Sequence, residues 1–346
     1  MTDEPRIRVA VLMGGRSSEH AISVASARSV LEGLDPKRYE AAAIEIQRDG
    51  QWQLGQLERR AITNGDRPGV ELVPVAGSNA VHALRVVDVV LPVLHGPFGE
   101  DGTVQGLLEL AGVPYVGAGV TASALCMDKD LFKAVMRDRG IPVTRNITLR
   151  QGDPVENPFG YPVFVKPARL GSSIGISKVR DESELESAVE LARRHDEKVL
   201  VEEFVDGVEV EVGVLGNLPE PEVSLPGQVV SHFADWYDYS SKYDEGGSDL
   251  LVLPPALSPE QVERAQQLAV DAFVATDCEG MARVDFLVRD ADGEVIVNEL
   301  NTIPGFTETS FYARLFEASG IPYRELLDRL VELAIERHQR RARLEY

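Results

Sequence analysis

The stretch FLVRDADGEVIVNELNTIPGF, Phe286 to Phe306, carries an apolar run, Val295, Ile296 and Val297, that leads into a carboxylate, one spacer and an amide: Glu299, Leu300 and Asn301. Apolar strands usually end in turn residues. Two oxygen-bearing side chains that flank one spacer project to the same side of an extended chain. That is how a strand offers hard oxygen ligands to Mg2+, although an ordinary strand end is the plainer alternative. Just upstream, RVDF places Arg283 and Asp285 on one face of a strand, with Val284 and Phe286 turned to a core. The two strands together offer one cation and three oxygen ligands. Such a set can hold one or two Mg2+ ions against ATP phosphates and leave Arg283 for a carboxylate. A surface salt-bridge network fits less well, because the intervening residues are apolar.

The rest of the chain narrows the classes. Its 346 residues suffice for two or three domains, and 44% hydrophobic with 26% charged residues is a globular composition. A net charge of -21 argues against wholesale binding to nucleic acid or an anionic membrane, so an anionic ligand must meet locally placed Lys and Arg. The N-terminus lacks an apolar h-region and no apolar run approaches the ~18 residues of a membrane span, so a cytoplasmic protein is expected. Cys126 and Cys278 lack metal-ligand spacing and are expected to be reduced core residues.

Strand and helix patterns alternate at first. IRVAVLMGG (7–15) and VVDVVLPVLHG (86–96) read as strands, each followed by a helical pattern, which predicts a parallel sheet with ligands at its carboxyl ends, where Glu19 and His95 sit. From residue 121 the texture becomes α+β: a helix with MDKDLFKAVMRDRG, two strands around the Gly/Ser-rich turn of VKPARLGSSIGIS, then KVLVEEFV and the alternating GVEVEVGVLGN, which predicts antiparallel pairing. The predicted units are 1–120, 121–204 and 205–346. The basic ERHQRRAR (336–343) is expected to fray as a solvated helix end.

Within VKPARLGSSIGIS, glycine and serine let backbone N–H groups approach phosphate, and Lys166 adds charge; a flexible hairpin would look the same, and no Walker A ending is present. His95 in HGPFGEDG, with Glu100 and Asp101, is a poor Zn2+ signature and better suits a structural or substrate-orienting histidine. The glycines of LMGGRSSEH lack the G-x-G-x-x-G spacing of an NAD site.

In order, GGRSSEHAIS, HGPFGEDGTVQG, SALCMDK, VKPARLGSSIGIS, VEEFVDGVEVEVGVLGN, YDYSSKY, GMARVDF and NELNTIPGFTETS resemble the D-alanine:D-alanine ligase family of the ATP-grasp superfamily over nearly the whole chain. The resemblance implies an ATP-grasp fold with an N-terminal parallel-sheet α/β domain, ATP and Mg2+ as cofactors (two ions, with Mn2+ as a substitute), D-alanine as substrate and a homodimer. It implies a peptidoglycan-precursor ligase that phosphorylates one D-alanine carboxylate and lets the amine of a second attack the acyl phosphate. Asp285, Glu299 and Asn301 match the metal ligands. Glu19, Ser172 and Tyr243 match a triad at the first D-alanine, with His95 nearby. Arg283 and the Gly305 N–H match the oxyanion donors, and Ser310 and Phe311 the site for the second carboxylate. Lys129, Lys166 and Lys242 match phosphate contacts, and Glu202, Phe204, Val205 and Glu209 adenine and ribose contacts. Residues 234–248 match a lid that excludes water. Ala21 and Val208 depart from the family pattern, outside the matched positions.

A D-alanine:D-lactate or D-alanine:D-serine ligase is the near alternative, and Tyr243 favours the dipeptide enzyme. A non-catalytic nucleotide-binding module is remote, because no metal ligand, arginine or triad member is missing.

Overall fold

Residue alternation along β1 (Ile7–Gly14) builds the first layer. Val9 and Val11 enter one core, while Ala10 and Leu12 enter another on the opposite face. A strand buried on both sides suits a parallel sheet covered by helices. In the computed structural model of the chain, which describes residues 5–54, 73–75, 84, 86–230 and 251–345, β1 pairs in parallel with β2 (Tyr39–Ile46) and with β5 (Val89–Pro92). Helix α1 (His20–Gly33) packs on this sheet, and α2 (Thr103–Ala111) contributes Leu108 to one of its cores.

The parallel prediction holds for the centre of that sheet and fails at its edge. The order is β4-β3-β2-β1-β5, with β3 (Trp52–Leu54) and β4 (Val73–Val75) antiparallel. Only residues 47–51 separate β2 from β3, too few for the crossover that parallel pairing requires.

The second sheet is antiparallel, in the order β6 (Asn146–Leu149), β9 (Val199–Glu203), β7 (Val163–Pro167), β8 (Ser177–Val179). Helix α5 (Glu182–Arg193) closes its core through Val189 and Ala192. Before this sheet come α3 (Val120–Met127) and α4 (Lys129–Asp138), the latter capped by the Asp128 carboxylate, which accepts from Leu131 N at 3.2 Å.

In the third sheet, β10 (Gly207–Gly216) is central, and its partners run antiparallel, as its alternation predicts. It pairs antiparallel with β14 (Gly280–Arg289), β12 (Gly227–Val229) and β11 (Glu222–Val223); β13 (Leu251–Val252) and β15 (Val295–Asn301) form the ends. Helix α6 (Pro259–Ala275) starts with a Ser258/Gln261 capping box and Pro259, and packs Leu268, Ala272 and Phe273 against the sheet.

The β14 and β15 ladder contains one irregularity. Phe286 pairs with Val297 and Asp285 with Glu299, so Asn298 is an extra residue, a β-bulge. Strict alternation after Val295 and Val297 would send Glu299 and Asn301 into the core. The bulge gives that place to Leu300, three residues after Val297, and puts Glu299 and Asn301 on the face that carries Arg283 and Asp285.

Helices α7 (Phe311–Ala318) and α8 (Tyr323–Arg341) return the chain to the first layer, where Leu327 and Leu330 share a core with Val9 and Val11. The expected frayed end is corrected here. Helix α8 continues to Arg341, and Arg337 is buried, donating to the Gly117 and Tyr115 carbonyls with its guanidinium over the Tyr115 ring. Arg340 and Arg341 pair with Glu279. Cys126 and Cys278 are buried free thiols, as expected.

Candidate active site

The ladder puts Arg283 opposite Asn301 and Asp285 opposite Glu299. Arg283 grips Asp285 bidentately, with Nε to Oδ1 and Nη2 to Oδ2 both 2.7 Å, and its Nε is 3.1 Å from Glu211 Oε2 on β10. Burial alone would lower the arginine pKa; the Asp285 and Glu211 charges outweigh it, and the guanidinium is held firmly protonated. Asn301 Nδ2 donates to Asp285 Oδ2 at 2.9 Å, and Lys129 Nζ is 3.4 Å from Glu299 Oε2. Among the described residues no cluster of three or more His, Cys, Asp and Glu side chains could hold a metal ion. Two carboxylates and an amide are instead a hard, incomplete oxygen set. It fits Mg2+ that takes its remaining ligands from water and phosphate.

Two cavities meet at this patch, one of 340 Å³ and one of 650 Å³, and Lys129, Ser172, Glu211 and Glu299 line both. The smaller one is bordered by Asp285, Lys166, Glu202 and Glu209 and by the apolar Phe204 and Val205. The Phe204 ring lies 6.0 Å from that of Phe164 and carries Lys178 Nζ 4.2 Å from its centre. The larger cavity is bordered by Glu19, His95, Arg283 and Asn301 and by Gly305, Ser310 and Phe311. Every described residue singled out for the site therefore borders one cavity or the other. Lys242, Tyr243 and the 234–248 lid lie outside the described residues.

Glu19 stands just before α1, makes no side-chain cap to it, and is buried. Its carboxylate instead accepts from the Ser172 hydroxyl, and a Cβ at Gly96 would collide with it. Ser172 adopts a left-handed backbone, φ 53°, that the Gly/Ser turn allows. His95 is buried, and burial, opposed by the Glu19 charge, lowers its pKa. Its Nδ1 lies 3.1 Å from the Ile303 carbonyl and its Nε2 3.2 Å from Ser26 Oγ. A carbonyl only accepts, so Nδ1 carries the proton and Nε2 accepts from the serine. This histidine ties the end of β5 to the segment after β15. Ser310 Oγ accepts from Thr307 N at 2.9 Å, which fixes the turn that presents Phe311.

Glu211 and Lys133 were not legible from motifs, and Glu100 was noticed only as an acid near His95. Glu211 flanks Arg283. Glu100 accepts from Gly96 N at 2.7 Å, and burial, then the nearby Glu19 charge, push its pKa up to about 8. Lys133, one helical turn beyond Lys129 on α4, was signalled only by that spacing.

Comparison with known proteins bears on the whole arrangement. Residues 8–118 match the family described as D-ala D-ala ligase N-terminus and residues 135–332 the D-ala D-ala ligase C-terminus. A D-alanine--D-alanine ligase of Thermoanaerobacter sp. (strain X514) is 43% identical, covering 97% of this chain and 98% of that protein. One of Mycolicibacterium gilvum is 48% identical, covering 96% and 98%. Among solved structures, the D-alanine-D-alanine ligase from Coxiella burnetii superposes with a TM-score of 0.81 at 37% identity, covering 97% of both chains. The VanG D-Ala:D-Ser ligase from Enterococcus faecalis gives 0.81 at 35% identity, covering 95% of this chain and all (100%) of that one. The Bacillus anthracis D-alanine--D-alanine ligase complexed with ATP gives 0.77 at 27% identity, covering 97% and 99%.

Proposed function

This chain belongs to the D-alanine–D-alanine ligase family, and on that premise we propose how its two cavities divide the work. The protein is an ATP-dependent ligase that joins two D-alanines into D-alanyl-D-alanine for peptidoglycan synthesis, on an ATP-grasp fold. The observation that carries the division is the wall of Lys129, Ser172, Glu211 and Glu299 common to the 340 Å³ and 650 Å³ cavities. A triphosphate in the smaller cavity would point its terminal phosphoryl through that wall at an amino-acid carboxylate in the larger.

The apolar slot at Phe204 and Val205 takes adenine, with Glu202 and Glu209 at its polar edges; Lys129, Lys166 and Lys242 meet the phosphates. Asp285, Glu299 and Asn301 hold Mg2+, two ions with Mn2+ as a substitute, and Mg2+ bound there would neutralise and orient the transferring phosphoryl. In the larger cavity Glu19, oriented by Ser172 and Tyr243, receives the ammonium of the first D-alanine beside His95. The carboxylate of that D-alanine attacks the terminal phosphorus, releasing ADP and giving a D-alanyl phosphate. The amine of the second D-alanine, its carboxylate held by Ser310 and the Phe311 backbone, attacks the acyl carbon. Arg283 and the Gly305 N–H stabilise the oxyanion, a role worth about 3 kcal/mol per donor in comparable sites. Phosphate then leaves, and residues 234–248 shut water out meanwhile.

The proposal extends to units at 1–120, 121–204 and 205–346, a homodimer and a cytoplasmic location; among the described residues no helix is long and apolar enough to cross a membrane. The test is phosphate release from ATP and Mg2+ with D-alanine alone, L-alanine, or D-alanine plus D-serine or D-lactate, with products identified by mass. D-alanyl-D-alanine from D-alanine alone is the expected product. A mixed D-Ala-D-Ser or D-Ala-D-Lac product dominating at neutral pH would overturn the D-alanyl-D-alanine assignment.

A further inference from the structure

Lys133 is fully buried, yet borders neither cavity. Its ammonium lies against oxygens of three different segments: it donates to Thr144 Oγ1 at 2.6 Å and to the Asn298 carbonyl at 3.1 Å, and it forms an ion pair with Glu202 Oε2 at 3.1 Å. Two of those partners adjoin the nucleotide cavity. The other oxygen of Glu202 accepts from Lys166 Nζ at 2.7 Å, so one carboxylate stands between two ammonium groups. Burial opposes ionisation of Glu202, but Lys133 and then Lys166 outweigh it and hold the group below its ordinary range. Asn298, the third partner, is the bulge residue that turns Glu299 and Asn301 out of the core.

We propose that Lys133 is a positioning residue for the nucleotide: it shares the charge of Glu202, so that Lys166 keeps positive charge for phosphate, and it pins the Asn298 carbonyl, so that the bulge keeps Glu299 and Asn301 aimed at the site. Without Lys133, Glu202 would belong to Lys166 alone. The group of Lys133, Lys166 and Glu202 would then carry no net positive charge beside a cavity rich in carboxylates, and the bulge carbonyl would lose its buried donor. Burial pushes the Lys133 pKa down to about 8, with Glu202 acting against it, in keeping with an ammonium retained by its partners rather than by water. The proposal rests on the assignment of the smaller cavity to ATP.

The test is ATP binding by titration calorimetry to Lys133→Met, in EDTA and in Mg2+, beside the KM for D-alanine. EDTA isolates the route through Glu202 and Lys166; Mg2+ adds the route through the bulge. The expected result is an affinity about tenfold weaker in EDTA, the size of a lost hydrogen bond between charged groups, and weaker still in Mg2+. The KM for D-alanine should stay within about twofold of wild type. Wild-type affinity in both buffers, or a D-alanine KM that rises in step with the loss of ATP, would overturn the proposal. Should Lys133→Met fail to fold, Lys133→Met/Glu202→Gln is compared with Glu202→Gln, since the double variant removes the buried carboxylate together with one of its two cations and leaves only Lys166, which borders the cavity. Equal ATP affinity in EDTA and weaker affinity in Mg2+ are then expected; equal affinity in both, or a further loss already in EDTA, would overturn it. Binding needs no turnover. A wild-type protein that binds ATP and makes no dipeptide would therefore count against the ligase assignment alone, and one that binds no ATP against the cavity assignment.

Discussion

The Ser172 hydroxyl donates to the Glu19 carboxylate across 153 residues of chain, joining the Gly/Ser turn after β7 to the start of α1. Glu19 and Ser172 both border the larger cavity, where the proposed reaction places an ammonium. Glu19→Gln keeps the shape and removes the charge, so the KM for the first D-alanine should rise at least about tenfold, as for a lost charge-assisted hydrogen bond. Steady-state kinetics with ATP and D-alanine varied separately will show it. An equal rise in the KM for ATP would remove Glu19 from the amino-acid site.

At the junction of the cavities, Glu299→Gln takes one negative charge from the oxygen set. Loss of metal stabilisation is worth several kcal/mol, which lowers kcat by at least about a hundredfold. The melting temperature should stay within about 3 °C of wild type, because Glu299 sits at a strand end outside the apolar core. Removal of divalent ions by EDTA should abolish turnover in the wild type, with recovery in Mg2+ or Mn2+. A folded Glu299→Gln variant with wild-type kcat would refute the metal assignment.

Glu100 makes stability depend on pH. Burial and the Glu19 charge raise it from an ordinary 4.5 to about 8, so between these values the folded state holds a proton that the unfolded chain has lost. Its stabilising contribution is complete below about pH 4.5 and is lost as pH rises through about 8. The melting temperature of the ligand-free protein should therefore fall between about pH 6 and pH 9, and Glu100→Gln should flatten that fall. Parallel curves for the two proteins would assign the pH dependence to other groups.

Arg337 bridges α8 and the Tyr115 to Gly117 segment. Replacing it with methionine fills much of the same space and strands two buried carbonyls, which should destabilise the protein by about 3 kcal/mol. Urea denaturation of Arg337→Met against wild type measures this. A change under about 0.5 kcal/mol would mean that water reaches those carbonyls.

Much of this architecture was legible because strands and glycine turns write their chemistry locally. The carboxylate and amide after Val297, the Arg283 and Asp285 pair and the Gly/Ser turn at Gly171 to Ser173 all sit in short contiguous runs. What escaped depends on partners distant in sequence. The direction of β3 is set by the short connection from β2, and the bulge at Asn298 by the register of a second strand; its one local trace is that Val297 and Leu300, three apart, are both apolar. Lys133 reads as one more surface lysine until Thr144, Glu202 and Asn298 surround it. Arg337 was misread for a related reason: a basic run suggests solvation, whereas helix geometry turns one member of the run inward each turn.

The bulge also makes metal binding a matter of register as much as of composition. Deleting Asn298 would remove the extra residue itself: Val297, Glu299, Leu300 and Asn301 would follow in strict alternation, and Glu299 and Asn301 would keep the face of Arg283 and Asp285. Drawing Asn298 into the regular ladder would do the reverse, turning Glu299 and Asn301 inward and Leu300 outward without changing a residue of the strand. A substitution elsewhere that loses only the hold on the Asn298 carbonyl could thus silence the site while every residue of its motif survived, and sequence comparison confined to that motif would pass such a variant as intact.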